Sequence, residues 1–501
     1  MNFALNNPNS MEAGSKKIWI GGVSLLFILF SFFTALLIGA GQYILFSILF
    51  VSIILLILSV LSLNVHSIRD QRGYLLIIVW PTMLFVNIMQ QSVDFPVGYM
   101  LELLIFGLLF LIIKNVWSIS SVDYIVRILL IIFALYLLIA LLSSILGRSQ
   151  MMAALWQLQY NLKWPLMLGA GTLLVWNTHI EGLFRKIISY SWIFIAPILI
   201  VEILMPEIHS QILGPNPDSE YAINPFLGIG ARYRGPFYHA GYLSIISALL
   251  AMSAVIQLMI GRRSLGNYFC VVIYIVFVLL SGQRQELMAM IFSASILAMI
   301  FWRKHLSIIF IFSIIMIGIL TSSFIYMKYI PMQSILEQWG IMSSFTQPSE
   351  RAILSTNGII VAQHYFPFGS GLGTYGGAGA QKFDLSLFQD LGFGRYWWFL
   401  QGKFIVDTYW PNIIAEAGFA GAFMMLAFFV ILWLALFYRV WRTAGTPLYS
   451  IALLALVALS LLLANTPSSA ILTDPRGTFI FWLIIGAAWR AMSYEKDVLT
   501  L

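Results

Sequence analysis

Asp407 and Thr408 are followed by nine residues, then Gly418, two residues and Gly421, closing the one long hydrophilic excursion of an otherwise apolar chain, from about Ser349 to Gly421. A carboxylate at the edge of such an excursion can take a proton from a hydroxyl or orient it. Arg232, Arg234, Arg284 and Arg351 stand where apolar runs meet polar segments. The planar guanidinium fork suits bidentate binding of phosphate oxygens at a partly dry site. An outward-facing anion site beside a base follows from these residue types. Each arginine also has a plainer reading, in which it snorkels to headgroups or pairs with Glu207, Asp218, Glu220, Glu286, Glu350, Asp384 or Asp390. His364 and His239 can serve as acid, base or donor, or simply be hydrogen-bonded. Lys163 interrupts an apolar run, where a charge costs a few kcal/mol unless it is paired or lines a wet cavity. Glu102, Glu202 and Glu416 are its possible partners, and ion pair and substrate contact stay equally open. Tyr375, in a glycine-rich stretch, is a further substrate-binding candidate.

These residues must be positioned by membrane helices. The chain has 501 residues, 60% hydrophobic and 9% charged, with a mean hydropathy of +0.91, whereas roughly a quarter of the residues of soluble domains are charged. Apolar runs near the ~20 residues that cross a ~30 Å hydrocarbon layer must be helices, because lipid offers backbone amides no partner. The expected fold is all-α: a polytopic integral membrane bundle of about fourteen transmembrane helices, with a large, partly helical outer loop between the eleventh and twelfth. Apolar runs fall near 18–40, 43–63, 74–89, 97–113, 124–146, 155–176, 187–205, 238–260, 267–282, 286–302, 306–325, 411–437, 448–464 and 477–493. The run from Ile18 to Ala40 follows Lys16 and Lys17, is long for a signal peptide and is followed at once by another span, so it reads as an uncleaved first helix.

With the N-terminus in the cytoplasm, the paired cations at short loops all fall inside, as the positive-inside rule requires. The organisation is then a cytoplasmic tail over 1–17, spans one to eleven over 18–325 with an outer loop at 205–238, a large periplasmic loop at 326–410, spans twelve to fourteen over 411–493 and a cytoplasmic tail over 494–501. Aromatic residues such as Phe388, Phe393, Trp397, Trp398 and Trp410 give the large loop a core to pack. Thr346 and Pro348 read as the start of a short amphipathic helix, with Ile353, Asn357, Ile360, Val361 and His364 at helical spacing, ending before Pro367.

Several chemistries are excluded. The net charge of +7 is scattered at span ends, not clustered on a soluble face, which argues against a nucleic-acid partner. Cys270 has no second cysteine to pair with, so disulfides within the chain and thiolate metal sites are out. Gly371 to Gly376 fits G-x-G-x-x-G but lacks the buried strand and crossover helix of a dinucleotide fold. It reads instead as a tight loop whose glycines supply positive φ or let a ligand approach the backbone. No phosphate-loop motor motif occurs and the histidines show no metal-ligand spacing, so no cofactor is expected and no metal.

Arg232 through Tyr242 (R-Y-R-G-P-F-Y-H-A-G-Y), Ser281-Gly282-Gln283-Arg284, Arg351 followed by Pro367-Phe368-Gly369-Ser370-Gly371, and Asp407 through Gly421 occur in that order. In this the chain resembles the O-antigen ligase and Wzy-type polysaccharide polymerase superfamily, over roughly its C-terminal half. The resemblance implies glycan transfer from undecaprenyl pyrophosphate at the periplasmic face of the cell inner membrane, without metal or nucleotide. Arg284, the Arg232/Arg234 pair and Arg351 become candidate pyrophosphate ligands. Ligases carry His followed by Asn, Ser or Gln at the position of Asp407-Thr408, so the departure favours a repeat-unit polymerase. A ligase or protein O-oligosaccharyltransferase of the same superfamily and, from another class, a lipid-linked glycan flippase are the alternatives. The implied partners are lipid-linked glycan donor and acceptor, membrane lipids and, optionally, a chain-length regulator protein. Asp407 and His364 are the catalytic candidates; Arg232, Arg234, His239, Arg284, Arg351, Tyr375 and Lys163 are the substrate-binding ones. Trp397, Trp398 and Trp410 are expected either to stack on sugar rings or to form an interfacial belt.

Overall fold

The computed structural model describes residues 123–173, 180–216, 224, 232–301 and 349–499. The tail 1–17, the spans expected at 18–40, 43–63, 74–89, 97–113 and 306–325, most of 217–231, and 326–348 with the helix start at Thr346 and Pro348 lie outside the described residues. The described residues are helical, with no strand among them. In chain order the helices are α1 (Tyr124–Leu146), α2 (Met151–Leu173), α3 (Ile180–Leu204), α4 (Pro206–Leu213), α5 (Ala240–Met259), α6 (Leu265–Ser281) and α7 (Arg284–Phe301). They continue as α8 (Glu350–His364), α9 (Ala378–Phe383), α10 (Ser386–Asp390), α11 (Trp397–Leu400), α12 (Trp410–Arg442), α13 (Tyr449–Asn465) and α14 (Pro475–Leu499). Five of the described helices are long and apolar enough to cross a membrane: α1, Phe184–Leu204 within α3, α5, α7 and α12; α6 and α13 are apolar but shorter.

Local chemistry sets the boundaries. Asp123, Ser264 and Ser349 cap α1, α6 and α8, each side-chain oxygen accepting a first-turn amide, and such caps contribute about 1 kcal/mol each. α6 stops at Gly282 in the left-handed region, φ +65°, which glycine adopts without a Cβ penalty. α5 is buried along its whole length and packs on α6, α7 and α13, so it is the axis of the bundle. α1 and α12 instead expose Leu130, Ile131, Phe423 and Leu434, an apolar exterior suited to lipid. Trp164 ties α2 to α12 and α14, with ring centroids 5.3 Å from Phe428, 5.2 Å from Phe429 and 5.0 Å from Trp482. α2 and α14 also cross closely at Gly171 and Gly486, where a Cβ on Gly486 would lie 2.7 Å from Gly171 Cα, the small-residue contact that lets membrane helices approach.

One end of the bundle collects the polar connections. α1, α3, α6 and α13 finish there and α2, α5, α7, α12 and α14 begin there. Cross-bonds tie these ends together: Arg148 N–H donates to Ser370 O (2.9 Å), Asn224 Nδ2 to Leu280 O (2.9 Å), Trp410 Nε1 to Thr466 Oγ1 (2.9 Å), and Ser468 Oγ to Gln285 Oε1 (2.9 Å). Over this end residues 349–409 form a cap with its own core of Leu354, Tyr375, Phe388, Phe393, Trp398 and Ile405. The buried stripe of α8 is Ala352, Ile353, Leu354, Gly358, Val361 and Ala362. Ile360 and His364, expected on that face, are exposed. The reason is Gly358, where a Cβ would sit 3.0 Å from Pro411 O: its missing side chain lets α8 lie against the start of α12 and sets the rotation.

α12 breaks at Gly418, φ +64° and ψ −175°. The carbonyls freed by the break accept from the cap loop, Ala415 O from Ser370 N–H (2.8 Å) and Glu416 O from Gly371 N–H (3.0 Å), and Ser143 Oγ donates to Glu416 O at 2.5 Å. A Cβ at Gly418 would lie 2.2 Å from Pro367 O, and one at Gly369 (φ +87°) 2.4 Å from Gly418 N. Left-handed strain alone costs about 1–3 kcal/mol, and this clash is with backbone that cannot yield. Gly418→Ala is therefore expected to lower the melting temperature in detergent by several degrees, whereas Gly182→Ala, in open space on α3, leaves it unchanged or raises it. Equal melting of the two variants would contradict the clamp.

Candidate active site

The polar end of the bundle brings Asp407, Arg351, Glu286 and His239 together from four segments. Asp407 precedes α12, and Arg351 stands in the first turn of α8, which the Ser349 cap and the Gly358 contact hold in place. Arg351 donates to Asp407 Oδ2 from Nε (2.8 Å) and from Nη2 (2.7 Å). The side chains are 22% and 31% exposed, so water screens the pair and it contributes at most about 1 kcal/mol to stability. Its effect is geometric: the guanidinium plane is fixed against the carboxylate.

Glu286, in the first turn of α7, is buried and lies within electrostatic reach of both His239 and Arg351. Its Oε1 accepts from Gln285 Nε2 (2.9 Å), and Gln285 Oε1 accepts from Ser468 Oγ (2.9 Å). His239 caps α5, its Nδ1 accepting from Gly241 N–H at 3.0 Å. An accepting Nδ1 carries no proton, so the neutral ring carries its proton on Nε2 and presents a donor there. A Cβ on Gly241 would lie 3.0 Å from His239 Nδ1 and 3.7 Å from Glu286 Oε1, which places imidazole and carboxylate side by side.

Arg284 begins α7 and Arg232 lies in the segment before α5; both are half-buried and within electrostatic reach of each other. Two guanidiniums held together disfavour one another and favour an anion between them. Beyond them Asp474, at the α13–α14 connection, accepts from Arg476 Nε at 2.8 Å and Nη2 at 2.5 Å and from Tyr242 OH. Burial pushes the Asp474 carboxyl up, but the Arg476 charge and hydrogen bonds more than offset it and hold the group below the usual carboxylate range. A small cavity, about 20 Å3 and lined by Tyr160, Gly377, Val406, Thr408, Tyr409 and Thr473 among others, opens beside Asp407. It has room for about one water.

Other sequence candidates serve the fold. Arg234 is fully buried and donates to the carbonyls of Leu213 (3.1 Å), Gly214 and Tyr238 (3.2 Å). Glu202 accepts from the backbone amides of Arg234 and Gly235, and His209 Nε2 from α4 meets Gly235 O at 2.9 Å. Burial lowers the His209 pKa from its ordinary value, so the ring is neutral near pH 7 and donates to that carbonyl. Tyr375 is fully buried, stacks on Phe388 at 4.9 Å and donates to Leu354 O at 2.7 Å. The glycine-rich run wraps a carboxyl group of the chain itself: Glu416 Oε1 accepts from the Tyr375 amide at 3.1 Å. Lys163 is buried with Nζ 4.4 Å from the centre of the Tyr160 ring; Glu102 lies outside the described residues.

His364 is exposed at the far end of α8. It lies thirteen positions beyond Arg351, about 20 Å along a helix, so the structure does not bring His364 to Asp407. Among the tryptophans, Trp398 belongs to the cap core and Trp410 donates to Thr466, while Trp397 is exposed.

The sequence marks Glu286 only as a possible partner for a cation and does not mark Gln285, Ser468 or the Asp474–Tyr242 contact. A carboxylate in the first turn of an apolar run was the available signal for Glu286; the other contacts join residues far apart in sequence and left none. In comparisons with known proteins, no family model and no curated protein matches this chain.

Proposed function

We propose that the chain is an inner-membrane glycosyltransferase that polymerises undecaprenyl-pyrophosphate-linked oligosaccharide repeat units at its polar end. In this reading it is a bundle of about fourteen spans, and that end faces the periplasm. The observation that carries the proposal is the meeting of a carboxylate fixed by a guanidinium, Asp407 with Arg351, and a second guanidinium group, Arg232 with Arg284, at the same end of the helices. Sugar transfer from a pyrophosphate needs both: oxygens to orient and deprotonate the acceptor, and positive charge where the leaving oxygens gain it. Arg284, Arg232 and Arg351 hold the pyrophosphate, and His239 supplies an N–H donor. Asp407 orients the acceptor sugar by accepting from one of its hydroxyls, with Thr408 and the adjoining cavity next to it. Positive charge fixed at the departing oxygens can lower the barrier by several kcal/mol, as electrostatic preorganisation does elsewhere.

The test is incubation of reconstituted protein with a synthetic lipid-pyrophosphate oligosaccharide. Products at multiples of the repeat unit support the proposal. A single transfer to a different acceptor would make the protein a ligase, and movement of intact donor across vesicles would make it a flippase.

A further inference from the structure

Glu286 is a buried carboxylate that the fold holds by one oxygen. Ser468 Oγ donates to Gln285 Oε1 and Gln285 Nε2 to Glu286 Oε1, each at 2.9 Å. This hydrogen-bonded chain from the α13–α14 connection sets the plane of the carboxyl group. Its other oxygen, Oε2, is buried with no hydrogen-bond partner among the described residues. Leaving a carboxylate oxygen unsatisfied in a buried site is costly; Glu416 Oε2 is orphaned as well, under the cap loop, but Glu286 Oε2 lies beside His239 and Arg351, where a hydroxyl can satisfy it. Asp407 differs, since its Oδ2 takes two N–H donors from Arg351. The charged and titratable groups within electrostatic reach of Glu286 are His239 from the cap of α5 and Arg351 from α8, with Asp407 behind it.

We propose that Glu286 is a catalytic residue, the acceptor of the proton lost by the attacking sugar hydroxyl, with Gln285 and Ser468 as its positioning residues. The inference rests on the glycosyl-transfer reading. In the step, the acceptor O–H bond breaks and its proton goes to Glu286 Oε2. The oxygen forms the bond to the anomeric carbon as the bond from that carbon to the lipid pyrophosphate breaks. The bonding pair leaves with the pyrophosphate, and Glu286 returns the proton to water.

The experiment compares the wild-type chain with Glu286→Gln, Glu286→Asp and Ser468→Ala, reconstituted and given a synthetic undecaprenyl-pyrophosphate oligosaccharide. Transfer is followed from roughly pH 5 to 9, with donor binding and melting temperature measured alongside. Glu286→Gln is expected to lower transfer on the order of 10²-fold or more at every pH, with donor affinity within about twofold. Glu286→Asp should keep part of the rate and shift the acid limb of the profile, as should Ser468→Ala with a smaller loss. Transfer by Glu286→Gln within about threefold of wild type would overturn the assignment. So would a Glu286→Gln that fails to fold together with an unshifted profile in Glu286→Asp, since that pattern belongs to a structural role. A wild-type protein that transfers nothing would overturn the glycosyl-transfer reading and this assignment with it, whereas active wild type with active Glu286→Gln sinks only the latter.

Discussion

Asp407→Asn is expected to lower glycan transfer on the order of 10²-fold while the affinity for the lipid-linked donor stays within about twofold. The substitution keeps the shape of the side chain and removes its charge. Arg351 then faces an amide that offers one acceptor oxygen and two donors of its own, so the fork at 2.7 and 2.8 Å loosens and the acceptor sugar loses its fixed orientation. Because the pair is partly exposed, folding should change by no more than about 1 kcal/mol, which separates a lost function from a lost fold. Arg351→Ala should lower transfer through the same contact and, because Arg351 also holds the pyrophosphate, weaken donor binding as Asp407→Asn does not. Initial rates at varied acceptor concentration, with donor binding measured in parallel, check this. Full activity in Asp407→Asn would remove Asp407 from the mechanism.

Arg284→Ala should weaken binding of undecaprenyl pyrophosphate by about 10- to 100-fold, the size of one charge-assisted hydrogen bond of about 1.5–3 kcal/mol. Arg232 stands within electrostatic reach of Arg284, so removing one guanidinium also relieves the other, and the net loss falls toward the lower end. Arg234→Ala should behave differently although only one residue separates it from Arg232. Its guanidinium satisfies carbonyls of Leu213, Gly214 and Tyr238 in a buried setting, and unsatisfied buried acceptors cost about 1–3 kcal/mol each. The expected result is a lower melting temperature, with affinity unchanged in the fraction that stays folded. Titration of each purified variant with undecaprenyl pyrophosphate lacking a glycan reads both outcomes. Unchanged affinity in Arg284→Ala would refute its role.

The helices were legible because lipid leaves an apolar backbone no alternative: the runs at 124–146, 238–260 and 411–437 are the cores of α1, α5 and α12. The Gly418 break in α12 was not legible as a break. Apolar residues continue on both sides of it, and its cause is the cap loop, whose amides of Ser370 and Gly371 supply the partners that the interrupted helix lacks. The same loop shows how a motif can be read in kind and missed in purpose. Its glycines do supply positive φ and close approach, but what approaches is the backbone of α12 and the Glu416 carboxyl group. In the site, arginines at span ends could be found by residue type alone, yet type could not separate Arg234, buried among carbonyls, from Arg232 and Arg284. The Arg351–Asp407 pair crosses 56 residues, and no spacing rule connects them. Tyr375 looked like a ligand contact because it sits among glycines, but its ring completes the cap core.

The most direct measurement is the stoichiometry of transfer by the reconstituted protein. Supplied with a synthetic undecaprenyl-pyrophosphate oligosaccharide, it should release one free lipid pyrophosphate for each glycosidic bond formed, in wild type and not in the Glu286→Gln variant. Donor recovered intact under conditions where the wild-type protein binds it would contradict the account.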